Sequence, residues 1–185
     1  MLVACFSVHP LVQSLAAEQG SKGLLSVTGI FEASILTSLS LLTNSPSLNP
    51  PVRTWGIITT GKFWEDHLTA GVKAFLGHDD QSGNLNFAGV ESTGLVASDF
   101  HSGVNPSVIE ERLKEATRRL LQRGDVQCVA MGCAGMAGLE GIIRNVAVEV
   151  YGKEKGNLVY IIDGVKAGIG LLEQMVRNKR MFQTQ

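Results

Sequence analysis

The chain alternates between short apolar runs and longer segments in which apolar residues recur every three or four positions. The short runs are rich in β-branched residues and almost entirely apolar, which is typical of strands that helices cover on both faces. Strands that alternate with helices predict a parallel α/β architecture in which each helix crosses over to the next strand. We predict strands at residues 2–6, 25–29, 54–59, 85–91, 126–132 and 158–163.

The clearest helical pattern follows Asn105. An asparagine at the N-cap and Pro106 at the first helical position favour helix initiation. Apolar residues then recur on one face as far as Gly124. We predict further helices at residues 10–18, 31–42, 63–76, 139–150 and 165–177.

Two polar segments interrupt this alternation. Residues 44–51 read NSPSLNPP, and three prolines in eight residues exclude both a helix and a central strand. We interpret this segment as a linker between two lobes, and residues 77–84, GHDDQSGN, as a surface loop. A weak internal similarity relates the segments after Cys5 and Cys133. It fits either repeated β-α-β units or two pseudo-symmetric lobes that each present one cysteine to a common cleft.

The composition indicates a globular chain with a small-molecule partner. Of 185 residues, 44% are hydrophobic and 18% are charged, unlike a disordered chain. Sixteen basic and seventeen acidic residues give a net charge of −1, which gives little support to nucleic-acid or membrane-surface binding. No apolar run reaches the roughly 18–20 residues of a membrane-spanning helix. We therefore expect a cytoplasmic protein.

Three cysteines without Cys-x-x-Cys or clustered Cys/His spacing argue against a disulfide framework or a zinc site. Cys133 lies in MGCAGMAG, where a predicted strand ends and a helix is expected to start. Backbone N–H groups and the helix dipole would lower the thiol pKa there, so we expect Cys133 to be the most reactive thiol. Cys5, in LVACFSVHP, also follows a strand. The alternative for both is a small buried residue in a tight turn, and Cys128, inside a strand, is predicted to be inert.

Two strand-end thiols suggest racemisation, which removes a proton from one face of a stereocentre and returns one to the other. A thiolate and an opposed thiol supply both groups without pyridoxal phosphate or a metal, so we expect no cofactor. Thr59 and Thr60 end another strand. Their hydroxyls and nearby backbone N–H groups would hold a carboxylate or ring carbonyl, or simply cap the next helix.

The remaining polar residues give weaker signals. Glu32 lies at a predicted helix start, where a structural role is favoured. Asp163 either caps the last helix or orients a group in the cleft. The four histidines show no metal-ligand spacing. Only His9 lies near a proposed site, and a surface or capping role is favoured for it.

The chain resembles the aspartate/glutamate/hydantoin racemase superfamily, and specifically its hydantoin (allantoin) racemase branch with fungal relatives. The similarity covers essentially the whole chain and is carried by LVACFSVHPLVQSL, TGIFEASI, WGIITTGKFWEDHL, MGCAGMAGLEG and YIIDGVKAG. It implies two lobes, each a mainly parallel sheet flanked by helices, with a cofactor-independent site in the cleft. It also implies catalytic roles for Cys5 and Cys133. Substrate-binding positions would be Phe6, Ser7, Thr59, Thr60, Ala134 and Gly135.

The resemblance also implies how the chain is organised. Residues 1–50 and 164–185 would form the first lobe, and residues 51–163 the second. Proteins of this family carry further structure, with an Asn-Pro-Asn-Thr-like segment, before the first cysteine. Here four residues precede Cys5, so we expect the chain to lack an N-terminal segment. Residues 2–6 would then leave a strand edge and apolar surface uncovered. We expect either association through that edge, giving a homo-oligomer, or a partly disordered first lobe.

The implied substrate is a small cyclic ureide, such as a 5-substituted hydantoin or allantoin, whose Cα proton is acidified by a neighbouring carbonyl. The turn CFSVHPL departs from the CF-x-D-P-G-like turn of the family, which leaves the substrate preference open. One alternative is an aspartate or glutamate racemase, but no arginine or lysine lies beside the site motifs to pair with a side-chain carboxylate. The other is a catalytically silent ligand-binding or assembly protein of the same fold.

Overall fold

The computed structural model describes residues 1–20, 25–42, 53–77 and 86–183, and strands and helices alternate within these ranges. The strands are β1 (Leu2–Val3), β2 (Thr28–Gly29), β3 (Arg53–Thr59), β4 (Phe87–Ser92), β5 (Asp125–Met131) and β6 (Tyr160–Asp163). The helices are α1 (Pro10–Gly20), α2 (Ile30–Leu42), α3 (Phe63–Leu76), α4 (Pro106–Leu121), α5 (Glu140–Tyr151), α6 (Lys153–Asn157) and α7 (Gly164–Phe182). In these ranges, no helix is both long and apolar enough to cross a membrane.

A four-stranded parallel sheet, in the order β4-β3-β5-β6, forms the larger part of the fold. Its central strands β3 and β5 pair in parallel, with Ile57 opposite Ala130 and one register shift between Thr54 and Trp55. Successive side chains of a strand face opposite sides, so Ile57 and Ile58 belong to two different buried clusters. Ile58 packs with Leu113 of α4, whereas Ile57 packs with Leu68 of α3. The predicted parallel α/β architecture, with helices covering the sheet on both faces, is therefore confirmed.

A separate two-stranded parallel sheet pairs β1 with β2. Leu2 of β1 packs, with Val165 and Ala167 of α7, against the buried cluster that includes Ile57. This packing holds the small sheet beside the large one. As a result, Cys5, just after β1, lies near the carboxyl ends of β3 and β5.

Two helix starts follow the capping rules that the sequence suggests. The Asn105 side chain accepts a hydrogen bond of 3.0 Å from the backbone N–H of Ser107, and Pro106 is the first residue of α4. Asp163 accepts hydrogen bonds from the N–H groups of Val165 (2.8 Å) and Lys166 (3.2 Å) at the start of α7. Of the two roles considered for Asp163, the structure therefore supports helix capping.

The structure differs from the prediction mainly in its shortest elements. Strands β1 and β2 contain two residues each rather than five, because within the described residues they pair only with each other and only over two positions. The helix α6 and two 3₁₀ turns, Ala97–Phe100 and Ala134–Met136, are too short to show a helical period in the sequence. The predicted linker at 44–51 and all but Gly77 of the predicted loop at 77–84 lie outside the described residues.

Candidate active site

A cavity of about 700 Å³ opens where β3 and β5 end and the chain leaves β1. Sites in parallel α/β folds lie at this carboxyl edge of the sheet. The cavity brings together six of the eight predicted site residues: Cys5, Phe6, Thr60, Cys133, Ala134 and Gly135. A larger groove of about 840 Å³, between α2 and α7 beside β6, contains none of the eight. We therefore treat the cavity that contains the two cysteines as the candidate active site.

The three cysteines occupy very different surroundings. Cys5 is exposed, and its Sγ lies 3.4 Å from the Oγ of Ser7. Cys133 is half-buried at the end of β5 and faces the same cavity. Cys128 is fully buried inside β5, with its Sγ 3.8 Å from the carbonyl oxygen of Ser38, and burial raises its pKa to about 12. The burial of Cys128 fits the inert role predicted for it.

The expectation of a lowered pKa at Cys133 is wrong. Burial raises the pKa of this thiol, a hydrogen bond from the backbone N–H of Gly135 lowers it in part, and a negative charge at Cys5 raises it again. The helix that was expected to follow Cys133 directly is a single 3₁₀ turn, and α5 begins only at Glu140. Cys133 therefore lacks the helix dipole on which the prediction depended.

The other two predicted site residues, Ser7 and Thr59, do not line the cavity. Ser7 is buried behind Cys5 and contacts its sulfur. Thr59 is also buried, and its Oγ1 donates a hydrogen bond of 3.4 Å to the carbonyl oxygen of Gly132, beside Cys133. Both residues therefore lie where they support the turns that carry the cysteines. Thr60 lines the cavity, and no threonine side chain caps α3.

The outer wall of the cavity consists of residues outside the eight predicted site residues. Phe63 and Trp64, at the start of α3, pack edge to face with ring centroids 5.4 Å apart. The segment after β4 contributes the rest. Because β4 pairs in parallel with β3, the chain that leaves β4 must reach the same edge of the sheet as the chain that leaves β3. This pairing is the signal that would have predicted the place of the segment at the cavity. The residues of this segment that line the cavity are Leu95, Val96, Ala97, Ser98 and His101.

Hydrogen bonds from side chains hold the segment after β4 in place. One carboxylate oxygen of Glu65, in the first turn of α3, accepts from the N–H of Ser92 (3.0 Å) and from its hydroxyl (2.6 Å). Farther along, Asp99 accepts a hydrogen bond of 2.8 Å from the N–H of Val96. The wall is thus fixed at its base by α3 and stabilised internally.

For the histidines, the capping role of His9 fits its prediction, whereas the expectation that His9 alone lies near the site is wrong. His9, the only one expected near the site, accepts a hydrogen bond of 3.2 Å from the N–H of Leu11 through its Nδ1 and so caps the start of α1. His101 lies in the cavity instead. A Cβ placed on Gly135 would be 3.0 Å from the Nε2 of His101 and 3.5 Å from the Sγ of Cys133. The imidazole and the thiol therefore flank the same small volume beside Gly135.

The cavity offers hydrogen bonds but no fixed charge. Among the described residues that line it, none is Asp, Glu, Lys or Arg. No group of three His, Cys, Asp or Glu side chains in the described ranges is arranged to hold a metal ion. An uncharged, partly apolar ligand is the kind that suits such a cavity.

Comparison with known proteins points to one family. The family described as Asp/Glu/hydantoin racemase matches residues 1–172. An uncharacterized protein of Schizosaccharomyces pombe is 36% identical over 177 residues, which cover 95% of this chain and 62% of that protein. Allantoin racemase from Klebsiella pneumoniae has a similar fold, with a TM-score of 0.64 at 21% identity, covering 95% of this chain and 58% of that one.

A glutamate racemase from Bacillus anthracis also has a similar fold, with a TM-score of 0.55 at 16% identity over 96% of this chain and 57% of that one. At these identities the two solved structures support the fold alone. The chain spans less than two thirds of the length of each of these three proteins.

Proposed function

Because the chain belongs to the Asp/Glu/hydantoin racemase family, we propose that it racemises a small cyclic ureide, such as a 5-substituted hydantoin or allantoin, without a cofactor. The observation that carries this proposal is the presence of Cys5 and Cys133 in one cavity. The first follows a strand of the small sheet and the second a strand of the large sheet. Two thiols brought in by different sheets suit proton transfer at two faces of one carbon.

In this mechanism one cysteine acts as a thiolate and takes the proton from Cα. The electron pair of the broken C–H bond moves into the neighbouring carbonyl and gives an enolate. The other cysteine, as a thiol, donates its proton to the opposite face of Cα and becomes a thiolate. The configuration of Cα is inverted with no net uptake of protons, and exchange with water restores the starting state. Which cysteine takes the proton depends on the hand of the substrate.

The surroundings of Cys133 favour the protonated thiol that one of the two partners must supply in this chemistry. Burial raises the pKa of Cys133 and favours its thiol form, whereas Cys5 is exposed. A thiolate at Cys5 raises the pKa of Cys133 further.

The uncharged lining favours a ureide over an amino acid. A side-chain carboxylate of aspartate or glutamate would lose hydration in this cavity without a lysine or arginine to pair with it. A ureide carries only neutral carbonyl and N–H groups. We assign substrate contact to Phe6, Thr60, Ala134 and Gly135, and support of the cysteine-bearing turns to Ser7 and Thr59. We also propose that the two sheets belong to two lobes, residues 1–50 with 164–185 and residues 51–163, with the cavity between them.

Polarimetry on separate enantiomers tests the proposal. The protein should abolish the optical rotation of allantoin or of an alkyl hydantoin faster than the uncatalysed reaction, and should leave aspartate and glutamate unchanged. Saturable binding of the ureides without any change in rotation would contradict the proposal and favour a catalytically silent binding protein. Racemisation of glutamate alone would contradict the assigned substrate class.

A further inference from the structure

We propose that His101 determines which substituent the substrate carries on its reacting carbon, because its imidazole hydrogen-bonds a polar group there. The inference rests on the proposed racemisation of a cyclic ureide. It concerns a residue outside the five sequence motifs, on the segment that follows β4. It predicts a preference for a ureido-type substituent over an alkyl one.

His101 lies close to Cys133, which is the first ground for this inference. The Nε2 of His101 and the Sγ of Cys133 lie 3.0 Å and 3.5 Å from one point, the site of a Cβ on Gly135. If Cys133 exchanges the proton of Cα, the groups bonded to Cα must lie within a few ångströms of its sulfur. The imidazole is therefore close enough to contact a substituent of Cα.

The imidazole can form hydrogen bonds in a mostly apolar wall of the cavity, which is the second ground for this inference. Most of the neighbouring side chains of α3 and of the segment after β4 are aromatic or apolar, and among those that line the cavity only Ser98 also carries a hydroxyl: Phe63, Trp64, Leu95, Val96, Ala97 and Ser98. A neutral imidazole offers one N–H donor and one nitrogen acceptor, so it can pair with either the carbonyl or an N–H of a ureido group. An alkyl substituent has no atom to pair with the imidazole. His101 therefore adds binding energy only for polar substituents.

The backbone around His101 is held before any ligand arrives. Its N–H donates a hydrogen bond of 3.1 Å to the carbonyl oxygen of Ser98, and it ends the 3₁₀ turn Ala97–Phe100 that Asp99 stabilises. This turn packs against the 3₁₀ turn that follows Cys133. Because the backbone is already fixed, little backbone conformational entropy is lost when the imidazole binds a ligand.

The experiment compares allantoin, which carries a ureido group, with 5-isopropylhydantoin, which carries an alkyl group. His101→Leu should lower kcat/KM for allantoin about fivefold, mainly through KM, since one neutral hydrogen bond is lost. It should leave kcat/KM for 5-isopropylhydantoin unchanged. His101→Gln keeps a donor and an acceptor and should retain the parent's preference. Ser102→Leu places the same leucine on the adjacent exposed residue, which does not line the cavity, and should leave both substrates unaffected.

Equal losses for both substrates in His101→Leu, or no loss for either, would overturn the role of His101 while the parent's racemisation still supported the proposed function. If the parent binds both ureides but racemises neither, the racemase proposal fails. Calorimetric Kd values for the parent and His101→Leu then decide the inference: a weakening confined to allantoin supports it, and any other pattern overturns it. If the parent binds neither ureide, both proposals fail.

Discussion

Replacing Gly132 by alanine should destabilise the whole fold, because the new methyl group has no space in the sheet. A Cβ at Gly132 would lie 2.8 Å from the carbonyl oxygen of Ile58 and 2.8 Å from the Cγ2 of Ile57. That carbonyl cannot simply move away, since it accepts the N–H of Gly132 at 2.7 Å. Overpacking of this kind costs about 1–3 kcal/mol, and the reduced entropy of the unfolded alanine chain offsets about 0.4–1 kcal/mol. We expect a net loss of ~1–2 kcal/mol and a Tm lower by about 2–8 °C.

The matched control is the same substitution at Gly135, three residues away. There the added Cβ would lie 3.0 Å from the Nε2 of His101, at the end of a side chain that can shift, and 3.5 Å from the Sγ of Cys133, which is an ordinary contact. Gly135→Ala should therefore melt close to the parent, yet racemise on the order of tenfold more slowly, because the methyl group occupies the volume between the imidazole and the thiol and shifts the substrate away from Cys133, and misplacement by about 1 Å has large effects on rate. Far-UV circular dichroism gives both Tm values, and polarimetry well below them gives the rates. The reasoning is refuted if Gly132→Ala melts with the parent, or if Gly135→Ala is the less stable variant.

Two other predictions concern thiol reactivity and pH. Iodoacetamide should alkylate Cys5 first, since it is exposed, and Cys128 last, since burial raises its pKa to about 12. Peptide mass spectrometry identifies the labelled cysteines. Labelling of Cys128 before Cys5 would contradict the buried position of Cys128 in β5. The Oε2 of Glu32 is buried with no hydrogen-bond partner among the described residues, and burial raises the pKa of this carboxyl above its ordinary 4.5. The folded state then holds the proton more tightly than the unfolded state, so stability present at low pH decreases as the pH rises through the folded pKa. Glu32→Gln should raise Tm at pH 8 and change it less at pH 4, and an equal effect at both pH values would contradict this origin.

The long elements of the fold could be predicted because their causes are local. Helix α3 coincides with the predicted residues 63–76, and Gly77, with a φ of 69°, ends it in the left-handed region that favours glycine. Strand β5 differs from its prediction by one residue at each end, since five of its seven residues are apolar and four of them are consecutive. Both signals lie within the segment itself, so one sequence is enough to find them.

The features that could not be predicted depend on contacts between residues far apart in the chain. The length of β1 is set by its pairing with β2 about 25 residues later. The sequence of β1 itself therefore does not show where the strand ends. His101 reaches the cavity only because β4 lies beside β3 in the sheet. The raised pKa of Cys133 reflects burial, which is a property of the assembled fold. Sequence motifs therefore found the cysteines but not the wall that surrounds them.

Incorporation of solvent deuterium at Cα tests the two-cysteine mechanism most directly. In heavy water, the parent should racemise either enantiomer of the ureide and place deuterium on Cα. Cys5→Ser and Cys133→Ser should each lose racemisation but keep the fold, and each should exchange the Cα proton of one enantiomer only, with the two variants preferring opposite hands. Cys128→Ser, which removes a thiol outside the cavity, should racemise like the parent at a temperature where it stays folded. Racemisation by Cys133→Ser at the parent's rate would contradict the mechanism.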